Sequence, residues 1–274
     1  MPTVFITGCS TGLGKATAIL SAKNGWDVVA TMRKPENEKD LTEFANISLV
    51  KLDVTDLKNI EDVVANTLAK TSVDVVVNNA GYGQAGAVEA TSDEAIQQQL
   101  NTNILGVIRV TKAFVPHFRE RRSGVFITIT SIGGYVTFPF NSLYHTTKWA
   151  LEGFSDSLQF ELSRFNVLVK NVAPGGILTE FANRSLSSWA NHDAYAEDME
   201  KILAVYKNFD SWGTLSTAAQ IAETIFEAAT DGKQQVHYIA GEDAKKYYEL
   251  RNQIGSEAFR AVVEEQFFGK IDSK

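Results

Sequence analysis

The sequence predicts a doubly wound α/β domain with helices on both faces of a mostly parallel sheet of about seven strands. Three observations carry this. Short β-branched runs alternate regularly with stretches whose apolar residues recur at helical spacing. Several of those runs are apolar throughout instead of alternating, as in strands covered on both faces. The first run breaks into a glycine-rich turn that opens a helix, the arrangement found at the edge of dinucleotide-binding sheets. With 274 residues, 44% hydrophobic and 22% charged, the chain has ample material for a large core.

Val4-Phe5-Ile6 is the first strand, and Thr7-Gly8-Cys9-Ser10-Thr11-Gly12-Leu13-Gly14 is the turn that follows it. Glycines there let backbone approach a diphosphate, whose charge the helix N-terminus favours. The spacing is Gly-x3-Gly-x-Gly, not the commoner Gly-x-Gly-x-x-Gly. The second strand ends at Thr31-Met32-Arg33. An acidic residue at that point would hold a ribose 2′-OH, whereas an Arg accommodates a 2′-phosphate. Arg33 therefore points to NADP(H) over NAD(H).

Ile47 to Leu52 is a third strand, ending at Asp53, and a helix follows over Ile60 to Leu68. A fourth strand from Val73 breaks into Asn78-Asn79-Ala80-Gly81. One long helix is expected from Ser92 to about Phe118, carrying Asn103. The fifth strand, Val125 to Thr130, delivers Ser131 to the same sheet edge. A helix bearing Tyr144 and Lys148 runs to about Arg164, and the sixth strand, Val167 to Val172, closes on Ala173-Pro174-Gly175. Beyond Thr179 the pattern loosens into a polar stretch with scattered aromatics, the kind of segment that forms a lid or binding loop. A helix over Thr217 to Ala229, a strand over Val236 to Ala240 and terminal helices complete the reading. The chain is expected to be one domain: residues 1–180 as core, about 181–213 as substrate lid, and 214–274 as the last strand and C-terminal helices.

The net charge of −7 argues against a nucleic-acid partner. No stretch is long and apolar enough for a membrane span, and the N-terminal residues show no leader pattern. Cys9, the single cysteine, permits no internal disulfide, so a reducing, cytoplasmic setting is expected. The scattered histidines lack metal-ligand spacing, so no metal site is expected.

Tyr144 and Lys148 lie one helical turn apart on one face. An ammonium beside a phenol favours the phenolate, which makes a proton donor and acceptor usable near neutral pH. Taken together, Gly8/Gly12/Gly14, Asn78-Asn79-Ala80-Gly81, Asn103, Ser131, Tyr144/Lys148 and Pro174-Gly175 resemble the short-chain dehydrogenase/reductase family, in its order, over about two-thirds of the chain. The resemblance implies a Rossmann-type fold and an NADP-dependent oxidoreductase acting on CH–OH/C=O groups. Tyr144 would exchange a proton with the substrate oxygen, and Ser131 would hydrogen-bond that oxygen. Lys148 would lower the Tyr144 pKa and hold the nicotinamide ribose, and Asn103 would hold a relay water. It further implies cofactor contacts from Gly8, Ser10, Thr11, Gly12, Leu13, Gly14, Arg33, Asp53, Val54, Asn79, Ala80, Gly81, Pro174, Gly175, Ile177 and Thr179. Asn79 would meet a ribose and Thr179 the carboxamide. His145 reads as packing, pointing away from the Tyr144 face.

By family geometry Tyr82, Gln84, Tyr135, Phe138, Phe140, Phe181 and Trp189 surround the catalytic Tyr, an aromatic wall suited to a small hydrophobic ketone or alcohol. Two other readings stand beside this one: an NAD-dependent dehydrogenase of a steroid- or sugar-like alcohol, and a non-catalytic NADP-sensing module. A homodimer or homotetramer is expected by analogy, through outward-facing Trp149, Phe154 and Phe160 on the Tyr/Lys helix.

Overall fold

The computed structural model describes residues 1–178, 192–207 and 214–269. Its strands are β1 (Thr3–Thr7), β2 (Asp27–Met32), β3 (Ile47–Lys51), β4 (Val75–Asn78), β5 (Gly124–Ile129), β6 (Val167–Pro174) and β7 (His237–Ala240). The helices between and after them are α1 (Gly12–Lys23), α2 (Leu57–Leu68), α3 (Asp93–Leu100), α4 (Gly106–Arg121), α5 (Ser142–Leu162), α6 (Ala196–Lys207), α7 (Ala218–Thr230), α8 (Glu242–Ile254) and α9 (Ser256–Phe268). The strand order is β3-β2-β1-β4-β5-β6-β7, and every pairing is parallel. The predicted fold class is therefore correct. Strand order reverses between β1 and β4, and the crevice beyond the carboxyl ends of strands at such a point is where ligands bind.

Burial explains the continuous apolar runs, since all residues of β1 and β4 are buried. One face packs against α1 and α7 through Val4, Ile6, Ala18, Ala22, Ile221 and Ile225. The other packs against α2, α4 and α5 through Phe5, Val76, Ile60, Phe114, Phe118 and Leu158. A third cluster joins Ile132 and Val136 to Ile202, Tyr247, Phe259 and Phe267, so the C-terminal helices close over the loop that follows β5. Local chemistry starts and stops the elements. Asp56 accepts from the Asn59 N–H to begin α2, Thr217 and Gln220 form a capping box on α7, and Arg122 ends α4 in the left-handed region.

One expectation gains detail and one needs correction. The helical stretch over Ser92 to Phe118 is continuous but contains a π turn, Asn101–Leu105, between α3 and α4, a local widening frequent at functional sites. Phe154 is not outward-facing but packs, partly buried, against the α2/α4/α5 core; Trp149 and Phe160 are the exposed aromatics of α5. Within the expected lid, the described part contains α6, which buries Met199 and Ile202. Thr179, Phe181, Trp189, Phe209 and Trp212 lie outside the described residues. No helix among the described residues is long and apolar enough to cross a membrane.

A buried cation staples the far edge of the sheet. Lys170 of β6 is 1% exposed and donates to the Asp231 carboxylate and, at 2.8 Å, to the Ala228 carbonyl. The Tyr238 hydroxyl donates to the same carboxylate at 2.7 Å. Burial works to raise the Asp231 pKa, but the hydrogen bonds from Lys170, the Lys233 N–H and Tyr238 outweigh it and hold it at about 2. A depressed carboxylate pKa contributes stability above the unfolded value and loses it as pH falls toward 2. Asp231→Ala would strand the Lys170 charge, and the expected cost is about 3–5 kcal/mol in urea unfolding at pH 7. A cost below about 1 kcal/mol would show that the pair is not a staple.

Candidate active site

The carboxyl ends of β1, β2, β4, β5 and β6 deliver the predicted residues to one edge. Gly8 takes φ of +76°, and the Gly8 and Cys9 N–H groups donate to the Thr31 carbonyl. This turn is closed by protein. A Cβ on Gly14 would overlap the Gly8 carbonyl and the Asn79 carboxamide, and one on Gly8 would lie 2.9 Å from Ala80 Cα. The Thr7 hydroxyl accepts from the Asn79 and Ala80 N–H groups, both at 3.0 Å. Asn79 Nδ2 donates to the Thr7 and Gly8 carbonyls at 2.8 and 3.0 Å. That nitrogen and the Asn79 N–H are committed to bracing the glycine turn, so a ribose contact by Asn79 falls to its Oδ1 or its backbone carbonyl. Leu13 is buried in the core and offers a ligand only its backbone, whereas Ser10 and Thr11 are exposed.

These residues fit an anionic dinucleotide. Helix α1 begins without a side-chain cap from Thr11 and with no acidic residue in its first turn. Its leading N–H groups thus meet an anion without competition. At the end of β2 the Thr31 hydroxyl donates to the Ile6 carbonyl and is buried, so no carboxylate stands there. Arg33 is exposed and makes no ion pair among the described residues, while the nearby Glu38 and Asp40 are taken by Lys15. Asp53 Oδ1 accepts from the Thr55 N–H and hydroxyl, which fixes its orientation at the end of β3. Val54 packs against Gly106, at the start of α4. Gly81 lies against the Asn103 carboxamide.

Ser131, Tyr144 and Lys148 lie together, and Asn103 is joined to them through Thr147. Ser131 Oγ accepts from the Gly133 N–H at 3.0 Å and shares a hydrogen bond with the Tyr144 hydroxyl. Lys148 Nζ stands 5.6 Å from the centre of the Tyr144 ring and donates to the Ile129 carbonyl at 2.8 Å. Thr147 links α5 to the π turn, donating to the Tyr144 carbonyl at 2.8 Å and accepting from Asn103 Nδ2 at 3.1 Å. The rest of the Asn103 carboxamide is spent on the Tyr82 N–H and carbonyl. Both Nδ2 hydrogens are thereby taken by protein, and a water would be left to the second lone pair of Oδ1 or to the backbone.

The electrostatics differ from expectation. Burial pushes the Tyr144 phenol up to about 12, against the lowering effect of Ser131, so Lys148 does not bring it below its ordinary value in this structure. Burial also brings Lys148 down to about 8, opposed by the Glu152 carboxylate. His145 packs, as read from the sequence. Its Nδ1 lies 2.8 Å from the Gly133 carbonyl and its Nε2 accepts from the Phe138 N–H at 2.9 Å. Burial lowers it to about 4, so it stays neutral and pins the loop after Ser131 onto α5.

After β6 the Pro174-Gly175-Gly176 turn is held from the C-terminal side. Asp243, buried on the first turn of α8, accepts from the Gly176 N–H at 2.6 Å, and a Cβ on Gly175 would overlap its carboxylate. Ile177 and Leu178 pair with Ser216. Sequence reasoning missed Asp243; the adjacent glycines were the available sign of a close approach. The expected substrate wall divides. Phe138 packs on Tyr247 and Phe267, and the Tyr135 hydroxyl bonds Glu152, so neither is simply a wall residue. Gln84 is buried, and Tyr82 is half-buried beside Asn103. Phe140 takes φ of +58° and meets the Tyr195 ring edge-on at 5.8 Å, while the Gly86 N–H donates to its carbonyl. Among the described residues, no group of three or more His, Cys, Asp or Glu could hold a metal.

Comparison with known proteins agrees with this geometry. The family model described as short chain dehydrogenase matches residues 2–189. The chain is 34% identical to a 3-ketodihydrosphingosine reductase of Bacteroides thetaiotaomicron, over 74% of each chain. A crystal structure of a short-chain dehydrogenase from Streptomyces avermitilis superposes with a TM-score of 0.82 at 31% identity, covering 96% of this chain and 95% of that one. A variant actinorhodin polyketide ketoreductase solved with NADPH matches with a TM-score of 0.75 at 27% identity, covering 87% of this chain and 95% of the other.

Proposed function

The chain belongs to the short-chain dehydrogenase family and is an oxidoreductase, and from that premise we propose that it transfers a hydride between NADP(H) and the carbonyl or secondary alcohol of a small hydrophobic substrate. The observation that carries this is the convergence of Ser131, Tyr144 and Lys148 at the sheet edge that also bears the glycine turn. When bound, the nicotinamide supplies or accepts the hydride.

The residues of the chain do the rest. The Gly133 N–H occupies one lone pair of Ser131 Oγ, which leaves its hydroxyl hydrogen to stabilise charge developing on the substrate oxygen. Tyr144, a protonated phenol at neutral pH, gives its proton to that oxygen in reduction and recovers it in the reverse direction. Lys148, with a value near 8, is largely cationic at pH 7 and offsets the phenolate that results. Residues 1–180 act as the core of one domain, with the C-terminal segment closing the substrate side. The hydrophobic class is supported by Phe140 and Tyr195 in ring contact, and a carbonyl substrate by the relative named as a 3-ketodihydrosphingosine reductase.

NADP(H) is favoured by Arg33, an exposed cation that makes no ion pair among the described residues, while Glu38 and Asp40 are paired with Lys15. Exposed Trp149 and Phe160 on α5 support association as a homodimer or homotetramer, and sedimentation of the chain as a monomer would remove that part of the proposal. Assayed with a panel of apolar ketones, Tyr144→Phe is expected to lose about 10²–10⁴-fold in turnover while NADPH binding, followed by fluorescence, is kept. Full turnover in that variant would take the proton transfer away from Tyr144. Arg33→Ala is expected to weaken NADPH on the order of tenfold to a hundredfold, the worth of a charge-assisted hydrogen bond, and to leave NADH unchanged. Equal effects on both cofactors would mean that Arg33 does not read the 2′-phosphate.

A further inference from the structure

We propose that Glu152 is a positioning residue for this chemistry, the buried counter-charge of Lys148, and that Tyr135, Asn171 and His237 hold it in that role. The inference rests on the reading of Lys148 given above. Glu152 follows Lys148 by four residues on α5, on the same helical face, and both are buried. Lys148 Nζ is bonded to the Ile129 carbonyl and makes no direct ion pair with Glu152, so the carboxylate acts on the ammonium at a distance, from one turn further along the same buried face.

Three groups from three different elements converge on one oxygen of this carboxylate. The Tyr135 hydroxyl donates to Glu152 Oε2 at 2.7 Å, and Asn171 Nδ2 of β6 donates to it at 2.6 Å. His237 Nδ1 of β7 lies 3.1 Å away. An oxygen surrounded by donors in this way is an acceptor, as an ionised carboxylate is. The other oxygen, Oε1, is buried and takes no hydrogen bond among the described residues. Its charge therefore acts on its surroundings through a medium of low effective dielectric.

The sign of the cluster follows from its members. His237 Nε2 lies 2.9 Å from Asp156 Oδ1, one turn further along α5. Tyr248 of α8 meets Tyr135 edge-on at 5.2 Å. With His237 protonated, Glu152, Asp156 and His237 together carry one net negative charge; with His237 neutral they carry two. In either state the cluster behind Lys148 is negative. Facing Lys148 from the other side are Tyr144 on its own helix and the Ile129 carbonyl of β5, neither of them charged. Burial works to neutralise the lysine, and Glu152 is the charged side chain that works against it.

Titration of Lys148 Nζ by NMR tests this directly, using ¹⁵N-lysine labelling of the full chain and Lys148→Met to identify the signal. In Glu152→Gln the midpoint is expected to fall by about one pH unit, a tenfold loss of proton affinity, and the alkaline limb of kcat for ketone reduction is expected to move down with it. Glu152→Asp, which keeps the charge, should retain a midpoint close to that of the unaltered chain. An unchanged midpoint in Glu152→Gln would overturn the proposal, whatever happened to turnover, because a merely structural glutamate would leave the lysine where it was. Should that variant not fold, Glu152→Gln combined with Tyr135→Phe removes the carboxylate together with a neutral donor to it; the same fall is expected, and no fall again overturns the proposal. The titration needs no substrate, so failure to find a ketone would count against the proposed reaction and leave this test standing.

Discussion

Helix α5 is the constraint on which the rest of the site depends. Four of its side chains each reach a different element: His145 the loop after β5, Thr147 the π turn at Asn103, Lys148 the end of β5, and Glu152 both β6 and β7. All four are buried, and buried polar groups cost stability unless they are hydrogen-bonded. Each bond that satisfies one of them therefore also fixes a neighbouring element relative to Tyr144. The helix is thus less a carrier of two reactive residues than the part against which the surrounding loops are registered. It explains why Ser131 sits within reach of Tyr144 although the chain between them wanders through Gly133, Phe138 and Phe140.

The same burial creates the electrostatic problem that the site has to solve. Removing Tyr144 and Lys148 from water favours the neutral form of each, upward for the phenol and downward for the ammonium. For reduction, a protonated phenol is the useful state, so the upward shift costs nothing at the start of the reaction. A neutral lysine would be a loss, because the phenolate left behind would have no cation to offset it. The opposing contributions are unequal in origin: Ser131 acts on Tyr144 through a hydrogen bond, whereas Glu152 acts on Lys148 through charge. Charge acts over longer distances than a hydrogen bond does, so the counter-charge can sit one helical turn behind the reacting atoms without occupying substrate space.

What the sequence disclosed and what it withheld divide along the range of the contacts. The strands, the glycine turn and the Tyr/Lys spacing are local patterns, and they were legible because parallel strands covered on both faces read as continuous apolar runs. The π turn at Asn101–Leu105 was not, since the helical spacing of apolar residues continues across it and the bulge is set by the contacts of Asn103 with Tyr82 and Thr147. Phe154 was misplaced for a related reason. Helix α5 is packed on the sheet on one side and on neighbouring elements on others, and one sequence face cannot show how wide the covered arc is. Tyr135 looked like part of an aromatic wall because its partners, Glu152 and His237, are 17 and 102 residues away.

Asp243 shows how the two halves of the site are tied to each other. The turn at Gly175 and Gly176, expected to meet the cofactor, is held by a carboxylate on α8, and α8 also supplies Tyr247 to the cluster that contains Phe138. Gly175 admits no side chain because that carboxylate fills the space. The C-terminal helices thus contact the Gly175–Gly176 turn through Asp243 and the loop after β5 through Phe138, the loop that His145 pins. A change in this segment made to suit a different substrate would also move the Gly175–Gly176 turn unless Asp243 kept its place. Asp243 therefore belongs with the Gly175–Gly176 turn in its contacts, although it stands on a C-terminal helix.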